Sequence, residues 1–219
     1  MHELIKNYND IINLIKSKLE DQKNIQTPKI IAVSKTFDLK KILPLIEFGH
    51  LEYGENKVQE AVDKWTDIKI KKPKIKLHLI GKLQTNKVKF AIKIFDYIHS
   101  VDTKKLAKKI AEEEKKQNKK VKIFIQLNIG NENQKSGVKK NELIELSEYC
   151  RELKLNVMGL MCIPPVNDNP SKYFKETFEL NQKLNYSELS MGMSSDYLSA
   201  VENYSTYLRI GSSIFGKRD

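Results

Sequence analysis

The stretch "YLRIGSSIFG" (207–216) sets Arg209 two residues before a glycine and two hydroxyls, Gly211, Ser212 and Ser213. An apolar run interrupted in this way suits an anion. A guanidinium supplies charge, a glycine lets backbone N–H groups come close, and the serines donate. A second small-residue turn, "SMGMSSD" (190–196), adds Gly192 and the Ser194 hydroxyl. The third group of interest is an amine. Lys35 ends "KIIAVSK" (29–35), behind apolar residues that require burial, whereas most other lysines stand in polar surroundings. Partial desolvation lowers the pKa of an amine and makes it a nucleophile. The chain thus offers a phosphate-sized anion site and a nucleophilic amine. Ordinary helix caps and a salt-bridged lysine are the plainer readings of the same residues.

These groups matter only if the fold brings them together. Short apolar runs recur at 29–34, 50–54, 76–81, 96–102, 122–130, 156–163, 187–192 and 206–211. Amphipathic stretches such as "KVQEAVDKW" and "KKLAKKIAEEEKKQ" separate them. Strand alternating with helix eight times is the pattern of βαβ units with right-handed crossovers. In a chain of 219 residues it predicts an α/β fold, a closed (β/α)8 TIM barrel over about 28–216. Closure also removes the edges that an open eight-stranded sheet would have to protect. An additional N-terminal helix is expected over about 2–23, where Leu4, Ile5, Tyr8, Ile11, Ile12, Ile15 and Leu19 share one side. It is expected to cover the N-terminal end of the barrel. No linker composition divides the chain, so residues 1–219 read as one domain.

A barrel places function at the C-terminal ends of its strands and often binds phosphate in the loops after the last two. Those loops are the ones carrying Ser194 and Gly211–Ser213, while Lys35 lies on the rim of the first strand. An amine facing a phosphate site has a natural partner in pyridoxal 5′-phosphate, whose aldehyde reacts with it. Spacing alone leaves this reading and a rim salt bridge both open. Asn56, in "EYGENKVQE", offers a donor at the rim of the second strand. His78 shares a strand face with Ile80, which turns it into the barrel, either beneath a ligand ring or as a hydrogen-bonded core histidine.

Composition narrows the function classes. The net charge of +11 invites a nucleic-acid reading, but of 39 basic residues only Arg151, Arg209 and Arg218 are arginines. Base readout favours arginine or a recognisable module, and neither helix-turn-helix nor aromatic platform occurs. A specific nucleic-acid partner is not expected; nonspecific polyanion binding at low salt is the remaining alternative. Cys150 and Cys162 form no metal-binding pair, and the four histidines are scattered without an HExxH motif. The apolar runs fall well short of the roughly 18 residues needed to span a bilayer, and the N-terminus lacks a signal-peptide pattern. A cytoplasmic protein, without a membrane partner, is expected.

The ordered set "IAVSK", "YGENKVQE", "HLIGKLQTNK", "QLNIGNENQKSG", "GLMCI" and "LSMGMSSD…YLRIGSSIFG" resembles the pyridoxal phosphate homeostasis proteins, the YggS or PROSC family. The resemblance runs from about residue 30 to 216. It implies a fold-type III barrel related to the N-terminal domain of alanine racemase, holding pyridoxal phosphate as a Schiff base and lacking an established reaction. Residue by residue, Lys35 matches the Schiff-base lysine. Ser194, Arg209, Gly211 and Ser212 match phosphate-binding positions, and Asn56 and His78 match residues lining the pocket. Leu77 stands where the family usually has tryptophan, Lys82 where histidine is common, and Tyr53 replaces a phenylalanine.

Racemization on such a cofactor needs acid–base groups on both of its faces, and related racemases bring the second from an additional domain. Here the barrel takes up nearly all 219 residues. The expectation is therefore a non-catalytic, monomeric protein of cofactor homeostasis that buffers pyridoxal phosphate or delivers it to apoenzymes. The alternative within the same chemistry is a weak racemase or related amino-acid enzyme.

Overall fold

The computed structural model describes residues 2–20, 26–132 and 134–216. Eight parallel strands close into a barrel in sequence order: β1 (Lys29–Val33), β2 (Glu52–Glu55), β3 (Lys76–Leu79), β4 (Tyr97–Val101), β5 (Lys122–Leu127), β6 (Asn156–Cys162), β7 (Glu188–Met193) and β8 (Tyr207–Ile210). Closure is made by β1 and β8, with Ile31 level with Arg209 and Ala32 with Ile210.

Such strands read as continuous apolar runs because both faces are covered. Alternation divides the core in two. Ile31, Tyr97, Phe124, Met161 and Tyr207 fill the barrel interior. A larger cluster, including Ala32, Tyr53, Leu77, Ile98 and Ile210, packs outward against the helices. Those helices are α2 (Leu39–Glu47), α3 (Val58–Lys71), α4 (Val88–Ile94), α5 (Lys104–Gln117), α6 (Leu143–Glu152), α7 (Pro170–Lys183) and α8 (Tyr197–Glu202). Local chemistry starts several of them. Asp38 accepts from the Lys41 N–H, Thr103 from that of Leu106, and Asn169 caps α7 with Pro170 in its first turn.

After β8 the described residues form only the short helix α9 (Ser212–Phe215), beside the seam where the barrel closes. The N-terminal helix α1 (Glu3–Glu20) stands there, packing on α8, α9 and α2 with Leu4, Ile5, Ile11 and Ile15 buried. Expected to cover the barrel's N-terminal end, α1 instead stands mainly in the outer layer, and Asn7 donates to the Ile214 carbonyl. The last part of the expected helix, residues 21–23, lies outside the described residues. Among the described residues, no helix is long and apolar enough to cross a membrane.

Candidate functional site

A cavity of about 490 Å³ opens at the C-terminal ends of the strands. Six of the sequence-predicted residues line it: Lys35, Asn56, Ser194, Arg209, Gly211 and Ser212. Val33, Ile80, Ile163 and Met193 give it apolar walls. His78 is set apart from the six. It is fully buried inside the barrel, stacked on Tyr97 with ring centroids 4.2 Å apart, and hydrogen-bonded to His99 and Glu52.

Lys35 stands just past β1 and is half-buried. Its neighbours on both sides are fixed. The Ser34 N–H donates to the Gly54 carbonyl at 3.0 Å, the Ser34 hydroxyl to Glu55 Oε1 at 2.7 Å, and the Ser34 carbonyl accepts from Lys64 Nζ at 2.9 Å. Thr36 has φ of 67°, left-handed backbone that a β-branched residue rarely adopts, and its N–H donates to Glu60. Lys64 ties the arrangement together, with its Nζ 3.1 Å from Glu55 and 3.0 Å from Glu60. Burial pushes the Glu55 carboxyl above its usual range, against the pull of Trp65, Lys64 and Ser34. An ion-pair triad, buried at Glu55 and partly exposed at Glu60, thus braces the backbone that presents Lys35.

Across the cavity, the loops after β7 and β8 meet. Ser194 Oγ accepts from the N–H groups of Gly211 at 3.2 Å and Ser213 at 3.3 Å. The turn holding Ser194 is shaped by Asp196, which accepts the Met193 N–H at 2.6 Å. Gly192 has φ of 89°, and a Cβ there would lie 2.5 Å from the Ala200 Cβ, so its glycine serves the packing of α8. Gly211 differs. A Cβ there would meet Val33 at 3.4 Å, an ordinary contact, so internal packing does not demand glycine. Gly81 is demanded, because a Cβ would lie 2.4 Å from the Asn56 carbonyl oxygen, and this close approach sets Asn56 on the rim.

Arg209 forms the cavity floor. It is 4% exposed, and its side chain crosses the barrel interior: Nη1 donates to Ser190 Oγ at 2.7 Å and Nη2 to the Cys162 carbonyl at 2.8 Å. A guanidinium is suited to this place because it stays charged despite burial, which works against its ionisation.

Sequence reading missed Ser190, His99, Glu52 and the Glu60–Lys64 pair. Alternation carried the first two, since Ser190 and Gly192 share a strand face, as do Tyr97 and His99. The i,i+4 spacing of Glu60 and Lys64 marked an ion pair but not its attachment to Ser34 and Thr36. The departures from the family pattern fall elsewhere: Tyr53 packs on Trp65 outside the barrel at 4.7 Å, and Leu77 belongs to the outer core. Lys82 lines an adjoining cavity of about 350 Å³ that shares Asn56, Ile80 and Ile163 with the first. Among the described residues, no cluster of histidine, cysteine and carboxylate side chains could hold a metal.

Comparison with known proteins gives one answer throughout. A family model described as the alanine racemase N-terminal domain matches residues 12–219. A pyridoxal phosphate homeostasis protein of Aquifex aeolicus is 40% identical over 200 residues, covering 87% of each chain. Another, of Haemophilus influenzae, is 34% identical over 224 residues, covering 95% of this chain and 94% of its own. Among solved structures, PipY of Synechococcus elongatus with pyridoxal phosphate bound is similar with a TM-score of 0.77. It is 30% identical, and the match covers 92% of this chain and 100% of PipY.

Proposed function

This chain belongs to the alanine racemase N-terminal domain family and, within it, to the pyridoxal phosphate homeostasis proteins, and from that premise we propose that it binds pyridoxal 5′-phosphate reversibly through Lys35 and buffers it in the cell. One observation carries the reading. The amine after β1 and the phosphate-type donors after β7 and β8 line the same cavity, whose volume of about 490 Å³ falls in the range of small-molecule sites. When bound, the cofactor supplies an aldehyde that condenses with a primary amine, releasing water, and the reaction reverses on hydrolysis.

Each residue then has a part. Lys35 provides the amine, held in place by the Glu55–Lys64–Glu60 triad. The Ser194 hydroxyl and the N–H groups of Gly211, Ser212 and Ser213 receive the phosphate, with no Cβ at 211 to crowd it. Arg209 contributes positive potential and donors from the floor. Asn56 donates from the rim, and His78 acts on the site only through its neighbours.

We take the role to be cofactor handling without turnover, with pyridoxal-phosphate-dependent apoenzymes as recipients; the relatives are named as pyridoxal phosphate homeostasis proteins. A single barrel is taken as the working unit, since the amine and the phosphate-type donors line one cavity within it. A reducing, cytoplasmic setting suits Cys150 and Cys162, both buried free thiols. The test is direct. Protein loaded with pyridoxal phosphate is reduced with borohydride and digested, and the modified peptide is mapped by mass spectrometry. The adduct is expected on Lys35 and absent from Lys35→Ala; attachment at another lysine would overturn the assignment.

A further inference from the structure

Five polar side chains run through the barrel from the cavity floor to its opposite end. Arg209 Nη1 donates to Ser190 Oγ at 2.7 Å, and Ser190 Oγ lies 2.8 Å from His99 Nδ1. His99 Nε2 lies 2.9 Å from His78 Nδ1, and His78 Nε2 lies 2.6 Å from Glu52 Oε2. They come from β8, β7, β4, β3 and β2. Ser190, His99 and His78 are wholly buried, while Glu52, at the start of β2, is partly exposed.

With both rings neutral, the carboxylate end fixes the direction of every link. A guanidinium only donates, and an ionised carboxylate only accepts. Ser190 Oγ accepts from Arg209 and, because the ring nitrogen facing it is the unprotonated one when Glu52 sets the order, gives its proton to His99 Nδ1. A neutral His99 accepting at Nδ1 carries its proton on Nε2 and gives it to His78 Nδ1. His78 in turn carries its proton on Nε2, facing Glu52. With both rings neutral, this is the arrangement that satisfies all four bonds. Burial disfavours the charged form of both histidines, even though Glu52 pulls His78 the other way. The rings cannot turn freely either, since His78 stacks on Tyr97 and His99 on Phe124 at 4.4 Å. An extra proton on His78 would reverse the two central links and leave the Ser190 hydroxyl proton without its acceptor. Lys29, His50 and Asp96 are the other charged or titratable groups felt at the Glu52–His78 end.

We propose that Ser190, His99, His78 and Glu52 are positioning residues for Arg209, a one-way hydrogen-bond chain that couples the carboxylate at the N-terminal end of the barrel to the guanidinium on the cavity floor. The ligand-dependent half of this inference rests on the proposed binding of pyridoxal phosphate; the hydrogen-bond chain itself does not.

The experiment is histidine ¹⁵N–¹H correlation spectroscopy on the labelled full chain, first without ligand and then on addition of pyridoxal phosphate. At neutral pH both His78 and His99 are expected as Nε2–H tautomers. Finding the proton on Nδ1 of either ring, or a doubly protonated ring, overturns the chain. On saturation with pyridoxal phosphate the nitrogen resonances of His78 are expected to move, although His78 does not line the cavity, and Ser190→Ala is expected to abolish that movement. A His78 signal that stays still when the cofactor binds overturns the coupling. Glu52→Ala, a change at the far end, is expected to mix the tautomers of both rings and weaken cofactor binding about fivefold, whereas Glu52→Gln, which keeps an acceptor, preserves the tautomers. If the protein takes up no cofactor but both rings are Nε2–H, the binding function fails and the chain stands.

Discussion

Ser194 Oγ, from the loop after β7, accepts the N–H groups of Gly211 and Ser213 in the loop after β8, at 3.2 and 3.3 Å. One hydroxyl thus gathers two backbone donors at a single point. A phosphate at that point would take over both and gain the hydroxyl proton as a third. Ser194→Ala is therefore expected to weaken pyridoxal phosphate binding about tenfold, the loss of one hydrogen bond to a charged group. Pyridoxal, without the phosphate, should lose little. Titration with both ligands makes the comparison, and equal losses would remove Ser194 from the phosphate site.

Arg209 is tied inward by Ser190 and the Cys162 carbonyl, two residues before the loop donors begin. Its position favours contact with the body of a ligand as much as with the phosphate. Arg209→Gln is expected to weaken pyridoxal and pyridoxal phosphate to a similar degree, about tenfold or more. Arg209→Lys keeps the charge but loses the two-pronged anchor, and should recover only part of the affinity. Selective loss of the phosphorylated ligand would place the guanidinium at the phosphate instead.

The triad behind Lys35 makes a prediction about stability. Glu55 is fully buried and Lys64 nearly so, and removing one partner of such a pair leaves a charge stranded. Lys64→Met is expected to cost about 3 kcal/mol, while Lys64→Met combined with Glu55→Gln should cost distinctly less. Urea denaturation of the two variants tests this. A double variant no more stable than the single one would mean that the pair's charge is not what holds the Ser34–Thr36 backbone.

The buried histidines predict how stability varies with pH. Burial lowers His50 to about 4 and holds His78 and His99 below their ordinary value of 6.5. Just below pH 6.5 the unfolded chain therefore binds more protons than the folded one, so acid favours unfolding. Stability should change little above about pH 7.5 and then fall on acidification, by up to about 1.4 kcal/mol per pH unit for each histidine that stays neutral in the fold. The measurement is the urea midpoint between neutral pH and about pH 5, and a constant midpoint would show that these histidines protonate in place.

Periodicity made the barrel legible. "KIIAV" and several of its counterparts, such as "KIFIQL" and "NVMGLMC", are largely apolar because each strand is covered on both faces, and the strand order follows from the right-handed crossover. Lys35, Ser194 and Gly211 stood out because a polar or small residue directly after such a run must sit on the rim. The interior polar chain was harder to see. Ser190 and His99 lie within strands, where alternation gives the side they face but not which distant strand lies opposite. Register decides that, and register across a barrel depends on the whole closure. The place of α1 was hidden for a related reason: it packs on α8 and α9, at the far end of the chain.

The pairing of Lys29–Ala32 with Tyr207–Ile210 also sets an order of assembly. Lys35 follows the first strand and the Gly211 loop the last, so a chain without β8 in place carries the amine without the donors proposed to face it. If the cofactor needs both, as proposed above, the last strand has to dock before it can be held. A ligand attached to Lys35 and gripped by the final loop would then act as a bolt across the seam. Binding the finished fold and not its precursors, it would shift the folding equilibrium toward the closed state as cofactor concentration rises. The vitamin would in this way report on, and reward, the completion of its own container.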